Sequence, residues 1–459
     1  MSVGLESAPT TRLGGMSERI SIFGTGYLGA THAAGMAELG HEVIGVDVDS
    51  AKIELLRRGE VPFYEPGLGE VLRRHVDSGR LRFTTDAAEA ADFADVHFIG
   101  VGTPQKKGEY AADMRYVDEV IETLGPLLTR PAVILGKSTV PVGTAARLAA
   151  RLREIAPVGA DAQLGWNPEF LREGFAVEDT LHPDRIVIGV DPEYPGRVEE
   201  VARRVYASML ERDTPFLVTD LPTAELVKVS ANAFLATKIS FINAIAEVCE
   251  ASGADVAALA DAIGYDERIG RKFLGAGLGF GGGCLPKDMR AFMARAGELG
   301  VDQALTFLRE VDNINMRRRK HVVELATRVA GGSLADVHVA VLGAAFKPQS
   351  DDVRDSPALD VAGSLHLRGA DVRVYDPEAM RNAAAVWPTL TFASGIEDAC
   401  RGADLVIVAT EWAQFKGIDP QALAGLVAST RIIDGRNCLP AEDWVAAGWD
   451  YYGMGRHSG

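Results

Sequence analysis

The stretch Arg19-Ile20-Ser21-Ile22-Phe23-Gly24-Thr25-Gly26-Tyr27-Leu28-Gly29 decides the fold. Its first five residues form a short β-rich run, and residues 27–39 continue as a small-residue helix. Between them lies G-x-G-x-x-G, in the strand–turn–helix setting that gives the pattern meaning. Gly24 permits a tight turn, Gly26 lets a pyrophosphate approach the backbone, and Gly29 allows the helix to pack on the strand. The phosphate charge then meets a helix N-terminus. A second strand, Glu42–Val46, ends at Asp47, 18 residues beyond Gly29, near the spacing of a ribose-binding acid. A carboxylate there accepts bonds from ribose hydroxyls and repels a 2′-phosphate, so NAD is preferred over NADP. Asp49 competes for the role, but Asp47 directly follows the apolar run.

Further apolar strands occur at 96–99, 132–135 and 185–188, with helical patterns between them. This alternation implies a mostly parallel, doubly wound α/β sheet. From 221 to about 251 apolar residues recur at helical spacing without internal Pro or Gly beyond the first turn, which reads as one long, largely buried helix. More helices follow to about 329, interrupted by the Gly-rich stretch 275–283. A break at Gly331-Gly332-Ser333 precedes a second strand–helix alternation, with strands at 337–341, 372–375, 405–408 and 431–433. Two Rossmann-like α/β parts therefore flank a helical middle. They are not a close sequence repeat.

The chain has 459 residues, 47% hydrophobic and 24% charged, an ordinary globular composition. Its net charge of −17 makes it a poor partner for nucleic acid. The one dense basic run, Arg317-Arg318-Arg319-Lys320, reads as a solvated helix face. Cys249, Cys284, Cys400 and Cys438 are far apart, which argues against a disulfide framework and for a reducing cytoplasm. No metal-ligand spacing is present, so no metal is expected. No apolar run is long enough to lead us to expect a membrane span. Residues 1–16 carry no apolar segment and are expected to be a disordered tail, with Met16 an alternative start to Met1.

Four segments carry candidate chemistry. Cys284 follows Gly279-Phe280-Gly281-Gly282-Gly283 and precedes Pro286-Lys287-Asp288. Pro286 suits the first turn of a helix. A thiol at a helix N-terminus beside a cation is favoured as thiolate, hence as nucleophile. The glycines are expected to leave room for a substrate. The bland reading of a lone Cys, a buried structural thiol, suits Cys249, Cys400 and Cys438 better. Lys228 sits among apolar residues with Asn232 one turn on, on the same helix face. It either snorkels or serves a function. Glu169 lies in Asn167-Pro168-Glu169-Phe170-Leu171-Arg172-Glu173-Gly174, where α/β enzymes place catalytic loops. Lys137-Ser138-Thr139-Val140-Pro141 is the fourth segment.

Together with Phe346-Lys347-Pro348, these segments resemble the UDP-glucose/GDP-mannose dehydrogenase family from about residue 19 to about 440. The resemblance implies an NAD-binding Rossmann-like domain at 17–220, a central helical dimerisation domain at 221–330, and a UDP-sugar-binding Rossmann-like domain at 331–459. It implies that Gly24, Gly26, Tyr27, Leu28, Gly29, Asp47, Lys52, Thr103, Thr139, Glu173, Lys287 and Arg354 bind the cofactor. Glu169, Phe170, Leu171, Lys228, Asn232, Arg268, Phe273, Gly281, Phe346, Lys347 and Arg436 bind the substrate, with Arg268 offered across a homodimer interface. The implied catalytic set is Cys284, Lys228, Asp288, Glu169, Thr139 and Asn232. The family's loop often reads Gly-Gly-Ser-Cys; Gly283 replaces that Ser and is expected to loosen the loop.

The activity so implied is a four-electron oxidation of a sugar carbinol to a carboxylate. Ala176-Val177-Glu178-Asp179 and Pro183-Asp184-Arg185-Ile186-Val187 look most like members acting on UDP-glucose. GDP-mannose and UDP-N-acetylhexosamines stay open as substrates. So does a catalytically silent nucleotide-sugar-binding protein, although retention of Cys284, Lys228, Asp288 and Glu169 argues against it.

Overall fold

In a computed structural model the chain is described over residues 17–456, and the tail expected at 1–16 lies outside this range. The chain forms two compact units. The first comprises residues 17–62, 66–103 and 113–228, and the second comprises 63–65, 104–112 and 229–456.

The first unit is an eight-stranded sheet. Its strands are β1 (Arg19–Phe23), β2 (Glu42–Val46), β3 (Leu81–Thr84), β4 (Val96–Ile99), β5 (Ala132–Gly136), β6 (Ala162–Trp166), β7 (Ile186–Val190) and β8 (Phe216–Asp220). Their order is β3-β2-β1-β4-β5-β6-β7-β8, and every pairing is parallel except β6 with β7. Strands β4, β5 and β7 are buried throughout, as strands covered on both faces must be. The order reverses at β1, between β2 and β4, and ligands of doubly wound sheets bind outside the strand ends at such a point.

The second unit holds a six-stranded parallel sheet. Its strands are β9 (His338–Leu342), β10 (Asp371–Tyr375), β11 (Thr391–Phe392), β12 (Leu405–Val408), β13 (Arg431–Asp434) and β14 (Asp450–Gly453). The order β11-β10-β9-β12-β13-β14 repeats that of the first six strands of the other sheet, without close sequence similarity. The turn after β9 is built on the same plan as that after β1. Gly343 (φ 120°) packs so tightly that a Cβ would come within 2.4 Å of the Thr410 hydroxyl. Asp376, after β10, stands where Asp47 stands after β2. Asp376 is fully buried and accepts Ala344 N, Ala345 N and Trp412 Nε1, so its carboxylate is committed to the protein.

The long helix runs Leu221–Ser252. It is long and apolar enough by composition to cross a membrane, but Glu225, Lys228, Asn232, Ser240 and Asn243 are buried in the protein, whereas Thr223, Ser230 and Glu250 are exposed. Helices Leu285–Glu298 and Thr306–Val329 accompany its second part. The basic run on Thr306–Val329 is not a solvated face. Arg317 and Lys320 are exposed, whereas Arg318 and Arg319 are buried. Adjacent helix positions point about 100° apart, so a run of four cations cannot all face water when one side of the helix is packed. Arg318 donates to Gly277 O, and Arg319 pairs with Asp355 and Asp360.

Glu225, near the start of the long helix, reaches the N-terminus of helix Thr144–Ile155. Its carboxylate accepts Gly143 N at 2.7 Å and Ala145 N at 2.6 Å. Gly143 is left-handed and has no side chain to cap the helix itself. A buried carboxylate on those two orphan donors takes its place. Glu225→Ala strands both donors in the interior and is expected to lower the melting temperature by roughly 2–8 °C. An unchanged melting temperature would show that the cap contributes nothing.

Candidate functional site

The turn after β1 distributes its glycines as a dinucleotide needs. Gly24 has φ +90°, and a Cβ there would lie 2.7–2.8 Å from Val101. A Cβ on Gly29 would lie 1.7 Å from Gly24 O, so only glycine lets the helix approach the strand. At Gly26 a Cβ would meet no protein atom within 4 Å. Gly26 is the N-cap of helix Tyr27–Glu38 and offers no side chain, which leaves that helix end to an anion. Tyr27 and Leu28 open the helix, and the Tyr27 hydroxyl accepts Gly174 N.

Asp47 accepts Thr25 N, the Thr25 hydroxyl and Lys52 Nζ, the last at 2.8 Å. Burial opposes its charge, but the bonds from Lys52, Asp49 N and Thr25 N hold it below the usual carboxylate range. It stays ionised, as a ribose acceptor must. These residues fit NAD.

Elsewhere in the first unit, a buried cation and carboxylate meet. Lys228 Nζ lies 3.0 Å from Glu169 Oε1, both side chains being nearly buried, and Glu169 Oε2 accepts Leu171 N. The Phe170 ring carries the Arg185 guanidinium at 3.8 Å, with Lys228 Nζ at 5.7 Å. Thr103 donates its hydroxyl to Thr139 O, joining the loops after β4 and β5. Glu173 is buried.

Sequence reasoning gave no role to Lys137. It turns into the interior and donates to Asn167 Oδ1 at 2.9 Å, and Tyr206 donates to the same oxygen at 2.6 Å. The bond ties the Lys-Ser-Thr segment to the Asn-Pro-Glu segment. The co-occurrence of the two segments was the only signal in the sequence.

In the second unit Cys284 is the N-cap of helix Leu285–Glu298, exposed and outside any disulfide, with proline in the first turn. Asp288 N bonds Cys284 O. The Asp288 carboxylate is buried and accepts Lys287 Nζ at 2.6 Å and Asn232 Nδ2 at 2.7 Å. Lys287 thus directs its ammonium to Asp288. Asn232 sits one turn beyond Lys228 on the long helix, so one side chain follows the other along the same face.

The glycine run is packed rather than open. A Cβ on Gly279 would meet Asn315 Oδ1 at 2.5 Å, on Gly281 Asp355 O at 2.2 Å, and on Gly282 the Phe346 ring at 2.7 Å. The expected room is filled by the protein's own backbone and side chains. Gly283 does not loosen the loop either. The Arg354 guanidinium occupies the space of its missing side chain, 2.3–2.5 Å from a Cβ placed there. Arg354 is oriented by a fork to Asp352.

Arg436, after β13, bonds Ala409 O and Gly279 O at 2.8 Å each. Lys347 Nζ lies 5.3 Å from the Phe346 ring centre. Phe273 has φ +68°, a conformation costly for a bulky residue and characteristic of functional sites. Arg268 is exposed and held by Asp266. The candidate residues therefore fall into two sets. Gly24, Gly26, Tyr27, Leu28, Gly29, Asp47, Lys52, Thr103, Thr139, Glu169, Phe170, Leu171, Glu173 and Lys228 belong to the first unit, and all the others belong to the second.

Three sequence models of one family match the chain in order. They are the UDP-glucose/GDP-mannose dehydrogenase NAD binding domain over residues 18–210, the central domain over 222–317, and the UDP binding domain over 340–441. A UDP-glucose 6-dehydrogenase of Rhizobium meliloti (strain 1021) is 41% identical over 95% of this chain and 99% of its own length. The UDP-glucose 6-dehydrogenase YwqF of Bacillus subtilis (strain 168) is 39% identical over 95% of this chain and 97% of its own. A solved UDP-glucose dehydrogenase from Pyrobaculum islandicum superposes with a TM-score of 0.88, at 39% identity, over 98% of this chain and 100% of that one.

Burial pushes the Lys137 ammonium down to about 8 from its ordinary 10.5. Between these values the unfolded chain still holds a proton that the folded chain has released, so stability rises with pH. Lys137→Met lacks this dependence. Wild type is expected to gain melting temperature relative to Lys137→Met as the pH rises from 8 to 10.5. A constant difference across that range contradicts a depressed amine.

Proposed function

The chain belongs to the UDP-glucose/GDP-mannose dehydrogenase family, and from that premise we propose that it oxidises the C6 carbinol of UDP-glucose to the carboxylate of UDP-glucuronate. The observation that carries this reading is Cys284, an exposed thiol at a helix N-terminus, one turn before a buried carboxylate fixed by Lys287 and Asn232. A simple alcohol dehydrogenase needs no thiol.

Gly24, Gly26, Gly29, Tyr27, Leu28, Asp47, Lys52, Thr103, Thr139, Glu173, Lys287 and Arg354 are the residues assigned to NAD. Bound NAD supplies the oxidising power, one hydride being accepted in each of two rounds. The chain's own groups manage protons and charge. Asp288 takes the carbinol proton through a water, while Lys228 stabilises the developing oxyanion. Cys284 Sγ bonds to the aldehyde carbon, giving a thiohemiacetal and retaining a reactive intermediate. Loss of the second hydride and a proton leaves a thioester. Glu169, helped by Thr139 and Asn232, activates the water that cleaves the carbon–sulfur bond and restores the thiol. One carbinol and one water give one carboxylate, two hydrides passed to the acceptor and three protons.

Phe170, Leu171, Phe273, Gly281, Phe346, Lys347 and Arg436 hold the nucleotide sugar in this reading. The protein acts in the cytoplasm as a homodimer joined through the long helix. Phe234, Phe241 and Val248 support the dimer: they recur every seven residues on that helix and are 66%, 50% and 61% exposed. Arg268 is the residue offered across the interface.

Wild type supplied with UDP-glucose is expected to yield two NADH per sugar, and GDP-mannose or a UDP-N-acetylhexosamine is expected to yield none. Cys284→Ser should stall after the first oxidation or accumulate an ester. Full turnover by the serine variant removes the thiol from the mechanism, and no NADH with any of the sugars favours a silent binding protein.

A further inference from the structure

The loop 277–280 is held by side chains for which neither the sequence nor the proposed mechanism has a use. Asn315, on helix Thr306–Val329, is fully buried. Its Oδ1 accepts Phe280 N at 2.7 Å and its Nδ2 donates to Phe280 O at 3.0 Å. One amide thus satisfies both polar groups of one backbone residue, as a neighbouring strand would. Arg319, one turn on, donates a second bond to Phe280 O at 3.1 Å and one to Asp355 O at 3.3 Å. Arg318 bonds Gly277 O. Gly279 adopts φ +100° directly against Asn315, at a distance that excludes any side chain.

From its other side the same loop is joined to the end of β13. Leu278 N bonds Gly435 O at 2.9 Å, and Arg436 Nη1 bonds Gly279 O at 2.8 Å. Arg436 Nη2 also approaches Phe346 O at 3.4 Å. The loop therefore lies between a buried amide and the residues assigned to the nucleotide sugar. Cys284 is fixed separately, by the first turn of its own helix, where its carbonyl accepts Asp288 N.

We propose that Asn315 is a positioning residue for the nucleotide sugar: by bonding both backbone groups of Phe280 it fixes the loop 277–280 on which Arg436 rests. The proposal depends on the assignment of Arg436 and Phe346 to substrate, and so on the function proposed above. It separates substrate placement from the thiol chemistry. An amide is the group required, because it must donate and accept at once, on adjacent positions. Aspartate has the same shape but turns a lone pair toward Phe280 O, which repels it. Alanine leaves both Phe280 groups buried without this partner.

The test compares wild type, Asn315→Ala and Asn315→Asp as full chains in steady state, varying UDP-glucose and NAD separately, with melting temperatures recorded for each. Both variants are expected to raise the KM for UDP-glucose by about tenfold or more, with kcat and the KM for NAD within about threefold of wild type. An Asn315 that serves stability alone would lower the active fraction and leave both KM values unchanged. That result overturns the proposal, as does a loss confined to kcat. If Asn315→Ala does not fold, the near-isosteric Asn315→Asp decides, and failure of both to fold assigns the residue to stability and likewise overturns it. A wild-type enzyme inactive on UDP-glucose but active on another nucleotide sugar defeats the substrate assignment, and the same comparison with that sugar then decides Asn315. Wild type inactive on every nucleotide sugar defeats the functional reading and this proposal with it.

Discussion

An ionised or hydrogen-bonding group taken out of water must find a partner, and the penalty for an unpaired buried charge is several kcal/mol. The helix Leu221–Ser252 buries Glu225, Lys228 and Asn232 within two turns. Each is satisfied by an element that has work to do. Glu225 caps Thr144–Ile155, at the end of the loop that carries Thr139. Lys228 pairs with Glu169, and Asn232 bonds Asp288. An apolar helix thus carries polar groups on one stripe. The three residues stand at i, i+3 and i+7, so they share one face of the helix.

Glycine makes two different contributions to the same molecule. In the turn after β1, Gly24 and Gly29 allow backbone to approach backbone, and Gly26 alone leaves a helix terminus without side-chain cover. Before Cys284 the glycines make room inward, for Asn315, Asp355, Phe346 and Arg354. A flexible residue type therefore builds a tightly determined loop, because the space of the missing Cβ at Gly277, Gly279, Gly281, Gly282 and Gly283 is filled by a neighbour.

Much of the architecture was legible in the sequence. The strands β1, β2, β4 and β12 and the long helix have strong, uninterrupted patterns, and the structure places them within a residue or so of the expected ends. The strands that escaped notice are of two kinds. β3, β8, β11 and β14 lie at sheet edges and lack a full-length apolar run: Arg82 interrupts β3, β8 ends in Thr219-Asp220, β11 has only two residues and β14 starts at Asp450. β6 is central but reads Ala-Gln-Leu-Gly-Trp, and its glycine is present because a Cβ at Gly165 would come 2.4 Å from Val198. The glycine motif and Asp47 were legible because the turn after β1 demands them locally, and Cys284 stood out because it lies between a glycine run and a helix with proline in its first turn. The partners of Lys137, Glu225, Asn315 and Arg319 were not. These partners lie from 30 to more than 80 residues away in the chain, and no local pattern records a contact that only folding creates. The buried pair Arg318 and Arg319 shows the same limit, since four adjacent cations look alike until one helix face is packed.

In the proposed reaction Cys284 becomes covalently joined to the oxidised sugar carbon, and Glu169 is needed to release it. The most direct measurement is peptide mass spectrometry of Glu169→Gln, quenched in acid after mixing with UDP-glucose and NAD. A UDP-glucuronyl thioester is expected on the peptide containing Cys284, formed together with two NADH per site. A modified sulfur is absent if the aldehyde is hydrated and oxidised without capture. Two NADH per sugar with Cys284 unmodified throughout would therefore rule out covalent capture by this thiol.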